Sequence, residues 1–263
     1  MNKKLKFARF FVLPLIISIV FALFSMFSRA ETFPMDMLRS VIFLGDSTTN
    51  SLRFWKTIPY DSVWTGDKCT LSMWDVSQKK IALSETEFLN LKSLPNFEKM
   101  SKDLSVSTGK NTTYFLPISA LSALKKPSCL VITLGLNGCA MMSETDFKEE
   151  YTRLIRTVKN ASPTTKILLN SIFPVAKHAK VANSAIDRAN GWISDIATEE
   201  DLVFLDTNTL LKNEYGEADP ALVDSVDGIH WNEKGCRKIM EVFQIALQKY
   251  MSSTLPFQFS SPS

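Results

Sequence analysis

Short apolar runs that stop at a glycine or a polar turn recur along this chain, and between them the apolar positions change to helical spacing. Ser40-Val41-Ile42-Phe43-Leu44 stops at Gly45, and Cys129 to Leu134, Lys166 to Ile172 and Leu202 to Leu205 repeat the form. Runs of this kind predict strands buried on both faces. Ser62-Val63-Trp64 is a candidate fifth strand. Phe147, Tyr151, Leu154, Ile155 and Val158 fall on one helical face, with Ser143 and Asp146 spaced as a capping box. A second stripe is Val181, Ala185, Ala189, Trp192, Ile193 and Ile196, weakened by Gly191, and a third is Cys236, Ile239, Met240, Phe243, Leu247 and Tyr250.

Strand and helix alternate from residue 129 onward, which predicts an α/β fold: a three-layer α/β/α sandwich on a mostly parallel sheet. The domain is expected over 36–251. Around 65–113 the rhythm breaks at the Thr65-Gly66 and Thr108-Gly109 turns, and a hairpin insertion is expected there. No internal repeat is visible, and 252–263 reads as a disordered tail.

The N-terminus has a different pattern. Lys3, Lys4, Lys6 and Arg9 precede an uncharged apolar stretch over 10–27, and Ser28-Arg29-Ala30 follows. A basic start, an apolar stretch and small residues before a cleavage point describe a signal peptide, while the length of the stretch also suits an N-terminal membrane anchor. Either reading of 1–30 exports the rest to a periplasmic, cell-surface or extracellular location.

This segment changes the meaning of the composition. The 263 residues are 45% apolar, as in a globular chain, with 30 Lys+Arg against 27 Asp+Glu and a net charge of +3. The first thirty residues hold five of the basic residues and no acid, so the remainder has 25 basic against 27 acidic residues, a net charge of −2. Nucleic-acid binding therefore has no support in the charge pattern. Two histidines and four dispersed cysteines leave little material for a zinc site, and neither a metal nor another cofactor is expected. Cys69, Cys129, Cys139 and Cys236 are expected as free thiols, although export would permit disulfides.

In an open parallel sheet, ligands bind beyond the carboxyl ends of the strands. Three polar segments are predicted at that edge: Gly45-Asp46-Ser47, Gly135-Leu136-Asn137-Gly138 and the loop Asp227-Gly228-Ile229-His230. Singly, each is an ordinary turn or cap. Together they hold the parts of an acyl-transfer site. Ser47 is the candidate nucleophile and needs a base, His230 is the candidate base, and Asp227 can fix its tautomer from three residues away. The Asn137 amide, the Ser47 N–H and a glycine N–H are candidate oxyanion donors. His178 follows the fourth strand without a nearby carboxylate and reads as a loop residue or substrate contact. Trp64, Trp74 and Trp231 lie near the motifs. Core packing is the leading expectation for each, with Trp231 the best candidate for a site wall.

Phe43-Leu44-Gly45-Asp46-Ser47, Gly135-Leu136-Asn137-Gly138 and Asp227-Gly228-Ile229-His230, in that order, resemble the first, third and fifth motif blocks of the SGNH hydrolases, or GDSL esterase/lipase family. The resemblance spans about residues 40–250 and implies a flavodoxin-like fold. It also implies that Ser47, Asp227 and His230 are catalytic, and that Asn137 is an oxyanion donor. Two positions depart from the family pattern. Gly138 stands where the third block usually has Asp, and the oxyanion glycine of the second block is not obvious, with Gly66 favoured over Gly109. The implied function is that of an exported serine esterase acting through an acyl-serine on O-acyl esters, short-chain ones such as acetyl, of a carbohydrate or lipid. An O-acyltransferase acting on cell-surface glycan and a non-catalytic glycan-binding module are the alternatives.

Overall fold

The computed structural model describes residues 41–108 and 111–254, without the side chains of 247–254. The expected export segment at 1–30, the apolar stretch at 10–27, Gly109 and the tail beyond Thr254 lie outside the described residues. Among those described, no helix is long and apolar enough to cross a membrane.

The chain runs β1 (Val41–Gly45), α1 (Ser47–Phe54) and β2 (Val63–Trp64) before an insertion of β3 (Lys80–Leu83), α2 (Glu85–Lys92), α3 (Phe97–Met100), β4 (Ser105–Thr108) and β5 (Thr112–Pro117). It continues with α4 (Ile118–Lys125), β6 (Cys129–Thr133), α5 (Glu144–Ala161), β7 (Lys166–Asn170), α6 (Asn183–Glu199), β8 (Val203–Leu205), α7 (Thr207–Leu211) and α8 (Glu233–Thr254). The strands β2-β1-β6-β7-β8 form one parallel sheet in that order. This is the expected α/β architecture, and all five strands fall within the apolar runs that predict them.

Both faces of the sheet are covered. Ile42, Leu44, Leu130, Ile132, Ile167 and Leu169 share a buried cluster with side chains of α4, α5 and α6. Neighbouring residues point the other way, as the strand period of two requires, and the Phe43 ring meets Phe243 of α8 at 5.3 Å. The predicted face of α5 is the buried one: Phe147, Tyr151, Leu154, Ile155 and Val158. Ser143 caps that helix by accepting from the Asp146 N–H at 3.1 Å. The return bond of a capping box is absent, because the shorter Asp146 carboxylate instead accepts from the Ser143 hydroxyl.

Two expectations are corrected. The insertion is larger than a hairpin: β3-β5-β4 make a three-stranded antiparallel sheet that reaches Pro117. Its side chains Ile81, Leu83, Phe88, Phe97 and Leu116 belong to the same buried cluster as Leu44 and Trp64, so it has no core of its own. The expected tail is shorter too, since α8 continues to Thr254.

The parallel register fixes where chemistry can sit. Gly45 pairs with Thr133 and Leu44 with Trp64, so the segments after β1, β2 and β6 leave the sheet side by side.

Candidate active site

Ser47 is the first residue of α1 and is half-buried. The helix starts directly after the strand because Asp46 caps it, accepting on Oδ1 from the Thr48 N–H at 3.0 Å and the Thr48 hydroxyl at 2.7 Å. Asp46 is 0% exposed, and its other oxygen has no partner among the described residues. Burial pushes its carboxyl above the ordinary value, against the opposing pull of the Thr48 bonds and of His230.

His230 comes from a turn that is largely self-built. Asp224 Oδ1 accepts from the N–H groups of Val226 at 2.8 Å and Asp227 at 3.1 Å. Asp227 Oδ1 then accepts from Ile229 at 2.7 Å and His230 at 3.0 Å. Asp227 Oδ2 remains for the His230 ring, with Nδ1 at 2.7 Å. Partial burial raises the Asp227 carboxyl, but the bonds from the His230 ring and the two backbone N–H groups prevail and hold it below the ordinary carboxylate range. Ionised Asp227 can only accept, so Nδ1 carries a proton and Nε2 of the neutral ring is an acceptor. The Ser47 hydroxyl lies 2.9 Å from that Nε2 and donates to it. Ser47, distant in sequence, is thus brought into one chain of hydrogen bonds with His230 and Asp227.

The turn is clamped from the side. Gly228 has φ +66°, and a Cβ there would stand 2.9 Å from His178 Nε2. Its carbonyl accepts from the Ala176 N–H at 2.8 Å. Side-chain amides hold the segment leading to Ala176: buried Asn190 accepts from the Ile172 N–H at 2.7 Å, buried Asn208 donates to the Ile172 carbonyl at 2.9 Å, and half-buried Asn183 bonds both backbone groups of Val175. These supporting residues and Asp224 were absent from the sequence reading. The one available signal was Asn190, a polar side chain within the apolar face of α6.

Asn137 follows β6 at the same edge. Its side-chain amide donates to the Leu71 carbonyl at 3.1 Å, and its backbone carbonyl accepts from the Met73 N–H at 3.0 Å. The first bond fixes the amide orientation and leaves a second N–H of the same group unspent. Gly66 lies two residues beyond the end of β2, after Thr65, and its N–H has no partner among the described residues. Gly138, the departure from the family pattern, is packed in: an added Cβ would stand 2.8 Å from Met73 Cβ and 3.0 Å from Met142 Sδ. The space that an Asp side chain would need is filled by methionine.

The remaining candidates separate clearly. His178 is exposed, lies beside Gly228 and takes no part in the Ser47–His230–Asp227 hydrogen bonds. Trp231 is 1% exposed and packs beside Phe173 as a core residue, the leading expectation, which sets aside its reading as a site wall; Trp64 is a core residue too. Of the three tryptophans near the motifs, Trp74 is the exposed one. All four cysteines are free, and burial raises the thiols of Cys129 and Cys139 to about 11 and of Cys236 to about 12. Among the described residues, no group of three or more His, Cys, Asp or Glu is placed to hold a metal ion.

The sequence model of the GDSL-like lipase/acylhydrolase family matches residues 101–238. The chain belongs to this family. The match takes in Asn137, Asp227 and His230, and Ser47 precedes it. As a GDSL-like acylhydrolase, the protein is an esterase acting on carboxylic ester bonds. A search of curated proteins gave no match. Among similar solved structures, a GDSL-like lipase from Bacteroides thetaiotaomicron has 16% identity and TM-score 0.47, with 82% of this chain and 88% of that one covered. A carbohydrate esterase family 3 protein from Talaromyces cellulolyticus has 16% identity and TM-score 0.48, covering 82% and 99%. A peptidoglycan O-acetylesterase has 11% identity and TM-score 0.49, covering 84% and 96%. The family assignment rests on the sequence match and not on these neighbours.

Proposed function

We propose that this GDSL-like acylhydrolase is an exported serine esterase that removes short acyl groups, such as acetyl, from O-acyl esters of a carbohydrate or lipid through an acyl-Ser47 intermediate. The observation that carries the reading is the 2.9 Å approach of Ser47 Oγ to His230 Nε2, the ring nitrogen left as acceptor by the Asp227 bond. Ser47 Oγ attacks the ester carbonyl as its proton passes to Nε2, and ionised Asp227 stabilises the resulting imidazolium. The oxyanion is met by the Ser47 N–H, the unspent Asn137 amide N–H and the Gly66 N–H, each such donor typically worth about a hundred- to a thousandfold in rate. Collapse breaks the ester C–O bond, and the alcohol leaves with the proton from Nε2. Water then attacks the acyl-serine and gives its proton to the same nitrogen. The carboxylic acid departs, and Ser47 recovers its hydrogen. Export is supported by the basic and apolar pattern of residues 1–30, and an exterior location favours acylated glycans or lipids as substrates.

The test is labelling with a fluorophosphonate, followed by peptide mapping. Label is expected on Ser47, absent in Ser47→Ala and strongly reduced in His230→Ala, together with hydrolysis of p-nitrophenyl acetate by the wild type. A folded wild-type protein that neither labels nor hydrolyses the ester would overturn the reading.

A further inference from the structure

We propose that the cavity beside Gly66 receives an acidic sugar ring of the substrate, with the Arg53 guanidinium binding its carboxylate. This rests on the esterase reading above and specifies its substrate class. The cavity has a volume of about 670 Å³, within the usual range for small-molecule sites, and is bordered by Arg53, Tyr60, the Thr65–Cys69 turn and the start of α2. Gly66 belongs both to this cavity and to the candidate oxyanion site, so the two adjoin. Arg53 lies six residues after Ser47 on α1, about 9 Å along the helix axis at 1.5 Å per residue. With the two side chains also about 120° apart around the helix, this offset leaves room for a sugar ring between the scissile ester and a charged substituent.

Arg53 is held as a receptor would be. Its Nε donates to Asn50 Oδ1 at 2.9 Å, and its guanidinium carbon lies 4.5 Å from the centre of the Tyr60 ring. Its other polar contact is a weak one, from Nη2 to Cys69 Sγ at 3.8 Å. Asp67, Glu85 and Glu87 border the same cavity, yet none of them pairs with Arg53. Glu87 instead accepts from the Ser84 N–H and hydroxyl at the start of α2. A half-buried, oriented guanidinium with no carboxylate partner among the described residues keeps most of its fork of donors for a planar anion. Ser84, Thr86, Asn111, Thr112 and Thr113 border the cavity beside Ala82 and Leu83. Walls with this many polar side chains suit a polyhydroxyl ring. Asp67, Glu85 and Glu87 outnumber Arg53 and Lys68 on the same cavity, which disfavours a dianion more than a monoanion and so favours a carboxylate over a phosphate.

The full-length protein tests this with the acetate esters of methyl glucuronoside, methyl glucoside and methyl glucoside 6-phosphate. The wild type is expected to favour the glucuronoside over the glucoside by about tenfold or more in kcat/KM, as a charge-assisted hydrogen bond would give. The ratio should fall close to one in Arg53→Gln and be partly kept in Arg53→Lys, with the change mainly in KM. Equal wild-type rates for the acidic and neutral esters, a ratio unaltered in Arg53→Gln, or preference for the phosphate would each overturn the proposal. The wild-type comparison stands even if Arg53→Gln fails to fold. Hydrolysis of p-nitrophenyl acetate separates the two readings: its absence removes the esterase function itself, whereas its presence with no preference for the acid removes only the Arg53 subsite.

Discussion

Thr49 Oγ1 lies 2.6 Å from Thr133 Oγ1, joining the helix that begins with Ser47 to the strand that leads to Asn137. Thr133 donates its own proton to the Leu44 carbonyl at 3.2 Å, so Thr49 is the donor between the two hydroxyls. Their approach depends on Gly45, because a Cβ there would overlap both oxygens. Thr49→Val should cost about 1 to 2 kcal/mol and lower Tm by a few degrees, about 2 to 8 °C. Gly45→Ala should cost more, since it forces the helix and strand apart. Thermal unfolding of both variants checks the order, and a neutral Gly45→Ala would refute the packing account.

Asn137→Ala should lower kcat by about a hundredfold or more with little change in KM, the signature of a bond that strengthens in the transition state. The same change frees the Leu71 carbonyl, so a modest loss of stability should accompany it. Steady-state kinetics on p-nitrophenyl acetate provide the check, and an unchanged kcat would take Asn137 out of the oxyanion role.

Asp227 and Asp46 should give pH dependences of opposite sign. The folded-state pKa of Asp227 is depressed, so its contribution is present above the unfolded value of about 3.9 and is lost as pH falls from there through the folded value. For Asp46 the folded-state pKa is raised, so the native state holds its proton more tightly and stability declines as pH rises from about 3.9 through the folded value. Urea unfolding across this range should show the advantage of wild type over Asp227→Asn growing with pH, and that over Asp46→Asn shrinking. Parallel trends would contradict the assignment of burial to one carboxyl and hydrogen bonding to the other.

Gly228→Ala should impair catalysis, because φ +66° strains an alanine and its Cβ would press on the His178 ring in the turn that carries Asp227 and His230. His178→Ala removes that neighbour. The double variant should therefore be less impaired than the two single effects predict, and a double-mutant cycle in kcat/KM measures the coupling. Strict additivity would mean that the ring does not press on the turn.

The strands and the α5 face were legible in the sequence because burial on a sheet or helix imposes a period on consecutive residues, as in Val41–Gly45 and Phe147 to Val158. Ser47 and Asn137 were legible as residue types after strand ends, and Asp227 and His230 as residue types in the loop before the last helix. Trp231 was legible as a core residue from its apolar bulk, and its packing against Phe173 sets aside the lesser reading as a site wall. Asn183, Asn190 and Asn208 were hidden because their partners are backbone atoms of a segment remote in sequence. The extent of the insertion was unclear for a related reason: β3 pairs with β5 across two helices, and no local period records such pairing.

The sequence by itself determined the elements, the order of the sheet-edge motifs and the family resemblance, all of which follow from local periodicity and short motifs. Tertiary structure alone decided that Ser47 meets His230, that the Asp227 bond leaves Nε2 as the acceptor, and that Arg53 borders a cavity with no carboxylate partner among the described residues. Those facts depend on distances between residues far apart in the chain. Such distances are set by how the sheet registers and how the helices pack on it, and neither is written in any local stretch of sequence.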